Sequence, residues 1–206
     1  MSHNTWIHRL ARTCVRPMVN TPITPNHLTG LRLLTGLAAS FCLASGDPHW
    51  INFGCGLFVL SMLLDRADGE LARLSGKTSV FGHRFDLWTD AICDSAILLG
   101  LGIGLRNGPF GDWAMIMGII AGTSSGIIFY KVLALDKRLG PGSVMFDAFA
   151  GFDPDDAIII VPLSAAFGFG NWILAAATLA TPVAMVLVLR HLESIAKANV
   201  GTPDDS

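Results

Sequence analysis

The sequence predicts an all-α integral membrane protein: six transmembrane helices preceded by an amphipathic juxtamembrane helix. Three observations carry that expectation. Apolar residues make up 51% of the 206 positions and charged residues only 15%, with a mean hydropathy of +0.53, whereas a soluble domain usually carries about 25% charge. Six apolar stretches approach the roughly 20 residues that cross hydrocarbon, at about 28–45, 49–65, 87–105, 113–134, 156–170 and 171–192. Basic residues also alternate between the connections that join them.

Residues 1–20 lack the continuous apolar run of a cleavable leader and read as an amphipathic interfacial helix. Trp6, Ile7, Leu10, Cys14 and Met18 can share one face, with Arg9, Arg12 and Arg16 on the other. Such a helix can lie on a membrane surface or pack on its own protein. Thr24 and Pro25 are suited to the N-cap and first position of the first span. Arg32, one turn inside that span, could reach a ligand or snorkel to the interface. Pro162 and Pro182 interrupt the last two spans, which is tolerated where neighbours satisfy the freed carbonyls. The six-helix domain is expected over 21–195, and 196–206 as a disordered tail.

The connections give the orientation. Arg9, Arg12 and Arg16 precede the first span; Arg66, Arg73, Lys77 and Arg84 flank the second connection; Lys131, Lys137 and Arg138 flank the fourth; Arg190 and Lys197 follow the last span. GDPH and GFGN carry no Lys or Arg, and the third connection only Arg106. This alternation places both termini on the cytoplasmic side of the inner membrane, with the stretch DRADGELAR (residues 65–73). A net charge of −2 provides no basic field for nucleic acid. Cys14, Cys42, Cys55 and Cys93 show neither a CxxC pair nor metal-ligand spacing.

DRADGELAR raises the functional question, because ionised groups next to an apolar span are costly. Asp65 and Asp68 lie three apart on a helix that can continue the second span. After the turn-prone SGKTS, a second helix carries Asp86, Asp90 and Asp94 at i, i+4 and i+8, and residues at such spacing share a face. A short link between antiparallel helices sets the two pairs at one depth, so four carboxylates converge. Such a cluster must take up protons or bind cations, and hard oxygen donors suit Mg²⁺ or Mn²⁺, two ions where an aspartate bridges. A site of this kind clamps a diphosphate. The competing structural reading pairs each acid with Arg66, Arg73 or Arg84. Gly69 and Ala72, on the acidic face, and Gly82, before the second helix, leave room for a ligand against the backbone; close helix packing is their ordinary alternative.

Asp65-x-x-Asp68-Gly69-x-x-Ala72-Arg73, eight residues, then Gly82-x-x-x-Asp86-x-x-x-Asp90 resembles the signature of the CDP-alcohol phosphotransferase family at all its fixed positions. The TPNHLT entry to the first span is similar as well. The resemblance implies a six-helix membrane homodimer that moves a substituted phosphoryl group from a CDP-linked donor to an alcohol and releases CMP. It implies that Asp65, Asp68, Asp86 and Asp90 bind metal, that Asp90 is the general base, and that Gly69, Ala72 and Gly82 accommodate the cytidine nucleotide. Arg73 would pair with phosphate or brace an aspartate. The expected donor is CDP-diacylglycerol and the acceptor a polar, sometimes phosphorylated alcohol, with membrane lipids as surroundings. The reverse pairing, a CDP-polar-head donor with a lipid alcohol, is the alternative within the family.

Two other classes compete. A membrane prenyltransferase also binds diphosphate through aspartates, but Gly69-x-x-Ala72-Arg73 has no place in it. A divalent-cation carrier would place acids near the midplane of several spans. FDAFAGFDPDD, with Asp147, Asp153, Asp155 and Asp156, reads as helix capping or as the border of an acceptor pocket. Lys131, Lys137 and Arg138 read as positive-inside residues or as acceptor-phosphate ligands. Glu70 and His83 are expected to be solvated.

Overall fold

The structure, a computed structural model, describes residues 12, 13, 15–140 and 158–200. Among them are a 3-10 turn, Arg16–Met18, and the helices α1 (Pro25–Ala44), α2 (Pro48–Ser75), α3 (Val80–Gly104), α4 (Trp113–Leu139), α5 (Ile160–Ala166) and α6 (Gly170–Val200), with no strand among the described residues. All but α5 are long and apolar enough to cross a membrane. The protein is an integral membrane helix bundle. Of the expected fifth span, the seven-residue α5 is described, while 156 and 157 fall outside the described residues.

The helix boundaries follow from capping chemistry. Pro25 and Pro48 open α1 and α2, where a missing N–H costs nothing. The Thr24 N–H donates to His27 Nδ1 at 3.2 Å, and Asp47 accepts from the His49 N–H at 2.8 Å. α2 runs four turns' worth of apolar sequence and then continues through DRADGELAR. It stops at Gly76, whose φ of 66° is the left-handed value that glycine adopts freely. Ser79 then caps α3 by accepting from the Gly82 N–H at 2.9 Å, so α3 starts three residues before His83. Pro162 lies in the first turn of α5 and therefore breaks no helical hydrogen bond. α6 continues to Val200, past the expected domain boundary at 195.

α1 packs on both α2 and α3, α3 on α4, α4 on α6, and α5 on α2 and α6. The main core gathers Ala39, Leu43, Phe58, Ile97, Leu98 and Leu101, closed by Ala114, Ala121, Val161 and Leu174. The first six come from the C-terminal half of α1, the middle of α2 and the C-terminal half of α3. They thus occupy the end of the bundle away from the acidic stretch. A second cluster of Val15, Leu28 and Leu71, with Met18 and Val19 against it, lies at the acidic end. The described end of the N-terminal segment therefore packs on its own protein. Trp6, Ile7, Leu10 and Cys14 lie outside the described residues.

Small residues and hydroxyls bring the helices close. Ser61 Oγ donates to the Arg32 carbonyl at 3.0 Å, tying α2 to α1, and Ser40 Oγ donates to the Ala96 carbonyl, tying α1 to α3. Between α3 and α4, a Cβ added at Gly102 would lie 2.6 Å from the Ala114 carbonyl oxygen and 2.8 Å from Gly118 Cα. That contact is backbone on backbone and cannot yield without separating the helices. Gly102→Ala should therefore lower the melting temperature in detergent, with an overpacking cost of about 1–3 kcal/mol. Gly56→Ala, at an exposed α2 position where a Cβ meets nothing within 4 Å, should leave it unchanged or raise it. Equal melting of the two variants would contradict this packing.

Candidate active site

The candidate site lies where the last turns of α2 and the first turns of α3 run antiparallel, joined by the short link after Gly76. Asp65 and Asp68 project from α2, Asp86 and Asp90 from α3. One carboxylate oxygen from each of Asp65, Asp68 and Asp86 lies within 4.8 Å of the others. Asp90 joins them through a shared partner on α1, the Arg32 guanidinium. Arg32 Nη1 donates to Asp65 Oδ1 at 2.6 Å and to Asp86 Oδ1 at 3.1 Å, and Nη2 donates to Asp90 Oδ1. The four acids thus converge as their spacing predicts.

The main neutralising cation is Arg32, which the competing structural reading does not name. Arg66 Nε reaches Asp65 Oδ2 only at 3.9 Å, and Arg73 pairs with Glu70 at 3.1 Å rather than with an aspartate. Arg32 is buried, its side chain 9% exposed, and neither snorkels nor faces water. Thr29, one turn earlier on α1, is also buried and donates its hydroxyl to Asp68 Oδ2 at 2.6 Å. α1 therefore supplies two donors to acids on two other helices. A lone arginine inside an apolar span was the available signal for this role; Thr29, three residues before it on the same face, carried no signal of its own.

Two cavities adjoin the acids. An open cleft of about 260 Å³ is bordered by Asn26 and Thr29 from α1, by Asp68, Gly69, Ala72 and Arg73 from α2, and by Gly82 and Asp86 from α3. This is close to the lower end for small-molecule sites. A smaller pocket of about 20 Å³ lies deeper, between Arg32, Asp65, Arg66, Asp90, Asp94 and Ile158. The surroundings of the glycines bear on their two readings. A Cβ at Gly69 would meet only the Arg73 guanidinium, at 3.5 Å, so its bare backbone faces the cleft rather than a neighbouring helix. A Cβ at Gly82 would lie 2.8 Å from Asn26 Oδ1, so Gly82 makes room for α1 as well as bordering the cleft.

Two expectations are corrected. Glu70 is not solvated: it is fully buried, with Arg73 on one carboxylate oxygen and Arg12 Nε 3.5 Å from the other. A carboxylate on the inward face of α2 must find cations, and these two arginines supply them. His83 is likewise not simply solvated, since its Nε2 lies 3.2 Å from Oδ2 of buried Asp136 on α4. Lys131, Lys137 and Arg138 are exposed and border neither cavity. Asp147, Asp153, Asp155 and Asp156 lie outside the described residues.

Carboxylates gathered at the end of a membrane bundle, beside an open cleft floored by small residues, form a set of hard oxygen donors suited to divalent cations and phosphates. The chain belongs to the CDP-alcohol phosphatidyltransferase family, whose model matches residues 22–190. Among curated relatives, the archaetidylinositol phosphate synthase of Pyrococcus horikoshii is 36% identical over 104 residues, 44% of this chain and 53% of that protein. Cholinephosphotransferase 1 of Danio rerio is 26% identical over 164 residues, 75% of this chain and 41% of that protein. The chain thus spans about half of the first relative, and less of the second. Among solved structures, the Mycobacterium tuberculosis phosphatidylinositol phosphate synthase with CDP-DAG bound superposes with a TM-score of 0.65 at 23% identity, covering 87% of this chain and 93% of that one. The same enzyme in complex with manganese and citrate gives 0.62.

Thr29 offers a test that leaves the acids untouched. Groups that orient a metal-ligating carboxylate typically contribute 10–100-fold in affinity. Thr29→Val should weaken Mn²⁺ binding by roughly tenfold while Thr29→Ser retains it, as measured by Mn²⁺ electron paramagnetic resonance in detergent. Equal affinity in both variants would remove Thr29 from the site.

Proposed function

We propose that this protein transfers a phosphatidyl group from a CDP-linked lipid, CDP-diacylglycerol, to the hydroxyl of a polar alcohol and releases CMP, in phospholipid synthesis. The observation that carries this reading is the meeting of the Asp65, Asp68 and Asp86 oxygens within 4.8 Å, beside a cleft where Gly69 and Ala72 leave the α2 backbone open. The three carboxylates fit Mg²⁺ or Mn²⁺ by donor type and by spacing, and Asp90 completes a set able to hold two ions. Bound there, divalent ions supply charge neutralisation to the diphosphate and to the departing CMP.

The residues of the chain divide the remaining work. Gly69, Ala72 and Gly82 admit the nucleotide, with Asn26 and Thr29 forming the α1 wall of the same cleft. Arg73, at the cleft edge, offers its guanidinium to phosphate while holding buried Glu70. Asp90 accepts the proton of the acceptor hydroxyl as that oxygen attacks phosphorus, which requires an approach to about 3 Å. A carboxylate shared with cations is a weak base, so positioning and electrostatics carry most of the rate. The basic-residue alternation supports a cytoplasmic site with both termini on that side, and the family resemblance supports six spans and a homodimer, which mass measurement in detergent would test.

The archaetidylinositol phosphate synthase relative and the phosphatidylinositol phosphate synthase neighbour favour a polar, phosphorylated acceptor. A second reading, a CDP-polar-head donor with a lipid alcohol acceptor, is favoured by the match to cholinephosphotransferase 1 along 75% of the chain. Purified protein with Mn²⁺ should release CMP from CDP-diacylglycerol in the presence of one member of a panel of polar alcohols. Release only from CDP-choline with diacylglycerol would select the second reading, and release from neither pairing would refute both. Asp90→Asn should abolish turnover while keeping CDP binding; full activity of that variant would remove Asp90 as the base. Asp68→Asn should weaken metal-dependent CDP binding. Gly69→Val should raise the donor KM at least several-fold without a change in melting temperature, because its side chain would enter the cleft.

A further inference from the structure

We infer that Arg32 is a displaceable counter-cation of the aspartate site: its guanidinium competes with divalent ions for Asp65, Asp86 and Asp90, and so makes metal binding depend on the arrival of the donor's diphosphate. The inference rests on the metal-site reading above and adds to it the role of a residue outside the signature motif.

The geometry makes competition the consequence of shared carboxylates. Arg32 Nη1 bonds Asp65 Oδ1 and Asp86 Oδ1, and Nη2 bonds Asp90 Oδ1. Asp65 and Asp86 also belong to the triad whose oxygens lie close enough to hold an ion. A Mg²⁺ ion bonds oxygen at 2.0–2.1 Å, so one bound to Asp65 Oδ1 would lie no more than about 5 Å from Nη1. A divalent and a monovalent cation that close repel each other. Three carboxylates share one guanidinium and the fourth rests on the neutral Thr29 hydroxyl, so oxygen donors remain for a stronger cation while Arg32 holds the acids in place.

A displaced guanidinium needs an anion, since leaving it buried and unpaired is costly. Arg32 lies one turn beyond Thr29, which borders the nucleotide cleft. A diphosphate entering that cleft brings negative charge to this end of α1. Metal and nucleotide then favour each other's binding, and by linkage the coupling is reciprocal. Arg32 is a positioning residue in this scheme, acting through the carboxylates.

The alternative is that Arg32 remains on the carboxylates as a brace for the bound ion, and the two roles predict opposite signs. Mn²⁺ affinity is measured by electron paramagnetic resonance in detergent, with and without CDP, for the wild type and Arg32→Gln. Competition predicts that Arg32→Gln binds Mn²⁺ at least about tenfold more tightly than wild type without CDP, and that the tightening produced by CDP is smaller in the variant. Its melting temperature should fall in EDTA and recover at saturating Mn²⁺. Weaker or unchanged Mn²⁺ affinity in Arg32→Gln overturns the inference and leaves the metal site standing. Absence of Mn²⁺ binding in wild type even with CDP present, or binding unaffected by Asp68→Asn, overturns the metal-site reading and this inference with it. If Arg32→Gln does not fold, Arg32→Lys carries the same comparison: the compact ammonium on a differently shaped stem lacks the planar guanidinium fork that spans the acids, so Mn²⁺ should bind several-fold more tightly, and equal or weaker binding overturns the inference.

Discussion

The structure depends on holding carboxylates together where hydrocarbon begins. Asp65, Asp68, Asp86 and Asp90 would repel one another, and the charges are expensive to withdraw from water. α1 meets that cost. It places Arg32 between three of the acids and Thr29 against the fourth. For its side chains to reach, α1 must lie in the groove between α2 and α3. Its close approach to both is possible because Gly36 faces Cys93 and Ser61 without a side chain of its own, and because Ser61 takes up the Arg32 carbonyl. Electrostatics at the site and steric fit along the helices therefore require the same three-helix arrangement.

The bundle separates rigidity from chemistry along its length. The main apolar core fills one end, where Leu43, Phe58, Ile97 and Leu101 interdigitate and glycine contacts bring α3 against α4. Among the described residues the other end has two small clusters, Val15–Leu28–Leu71 and Val132–Leu135–Leu192, and between them and the acids there is space for the cleft. A site of charged groups cannot also be an apolar core, so its geometry is set by helices anchored elsewhere. α2 illustrates the point: the segment through Phe58 is fixed by packing, and the same rigid helix carries Asp65 and Asp68 beyond it. Little of the spanning stretch of α6 is buried, 6% of its most apolar window, so it contributes through its contact with α4 rather than to the acids.

What the sequence revealed and concealed follows the same division. The spans α1 to α4 were legible because long apolar runs between turn residues have few other solutions in a membrane, and the convergence of the aspartates was legible because i, i+3 and i+4 spacing fixes a helix face. The partners were not. Periodicity orients Arg32 relative to its own helix but does not say which other helix it faces, so its three carboxylates could not be read from α1. Glu70 looked like a solvated member of a charged run. Its burial depends on Arg12, far away in sequence, and on the rotation of α2 that aims Asp68 at the cleft. His83 finds Asp136 only because α4 packs on α3. The limits of α5 were hidden too, since Pro162 marks a helix start as readily as a break.

The two cavities place a further demand on Arg32. The deeper pocket, bordered by Asp90, Asp94, Arg66 and Ile158, is about 20 Å³, roughly the space of one water molecule. For Asp90 to act as a base, an acceptor hydroxyl must come within hydrogen-bond reach of its carboxylate. The Arg32 guanidinium holds Asp90 on one side and borders this pocket. In the proposed scheme, a shift of that side chain would loosen its hold on Asp90 and would also yield the Asp65 and Asp86 carboxylates to a cation. Donor loading and acceptor access would then share one movement, with the base exposed only when the diphosphate is in place, an order that would protect the activated donor from attack by water.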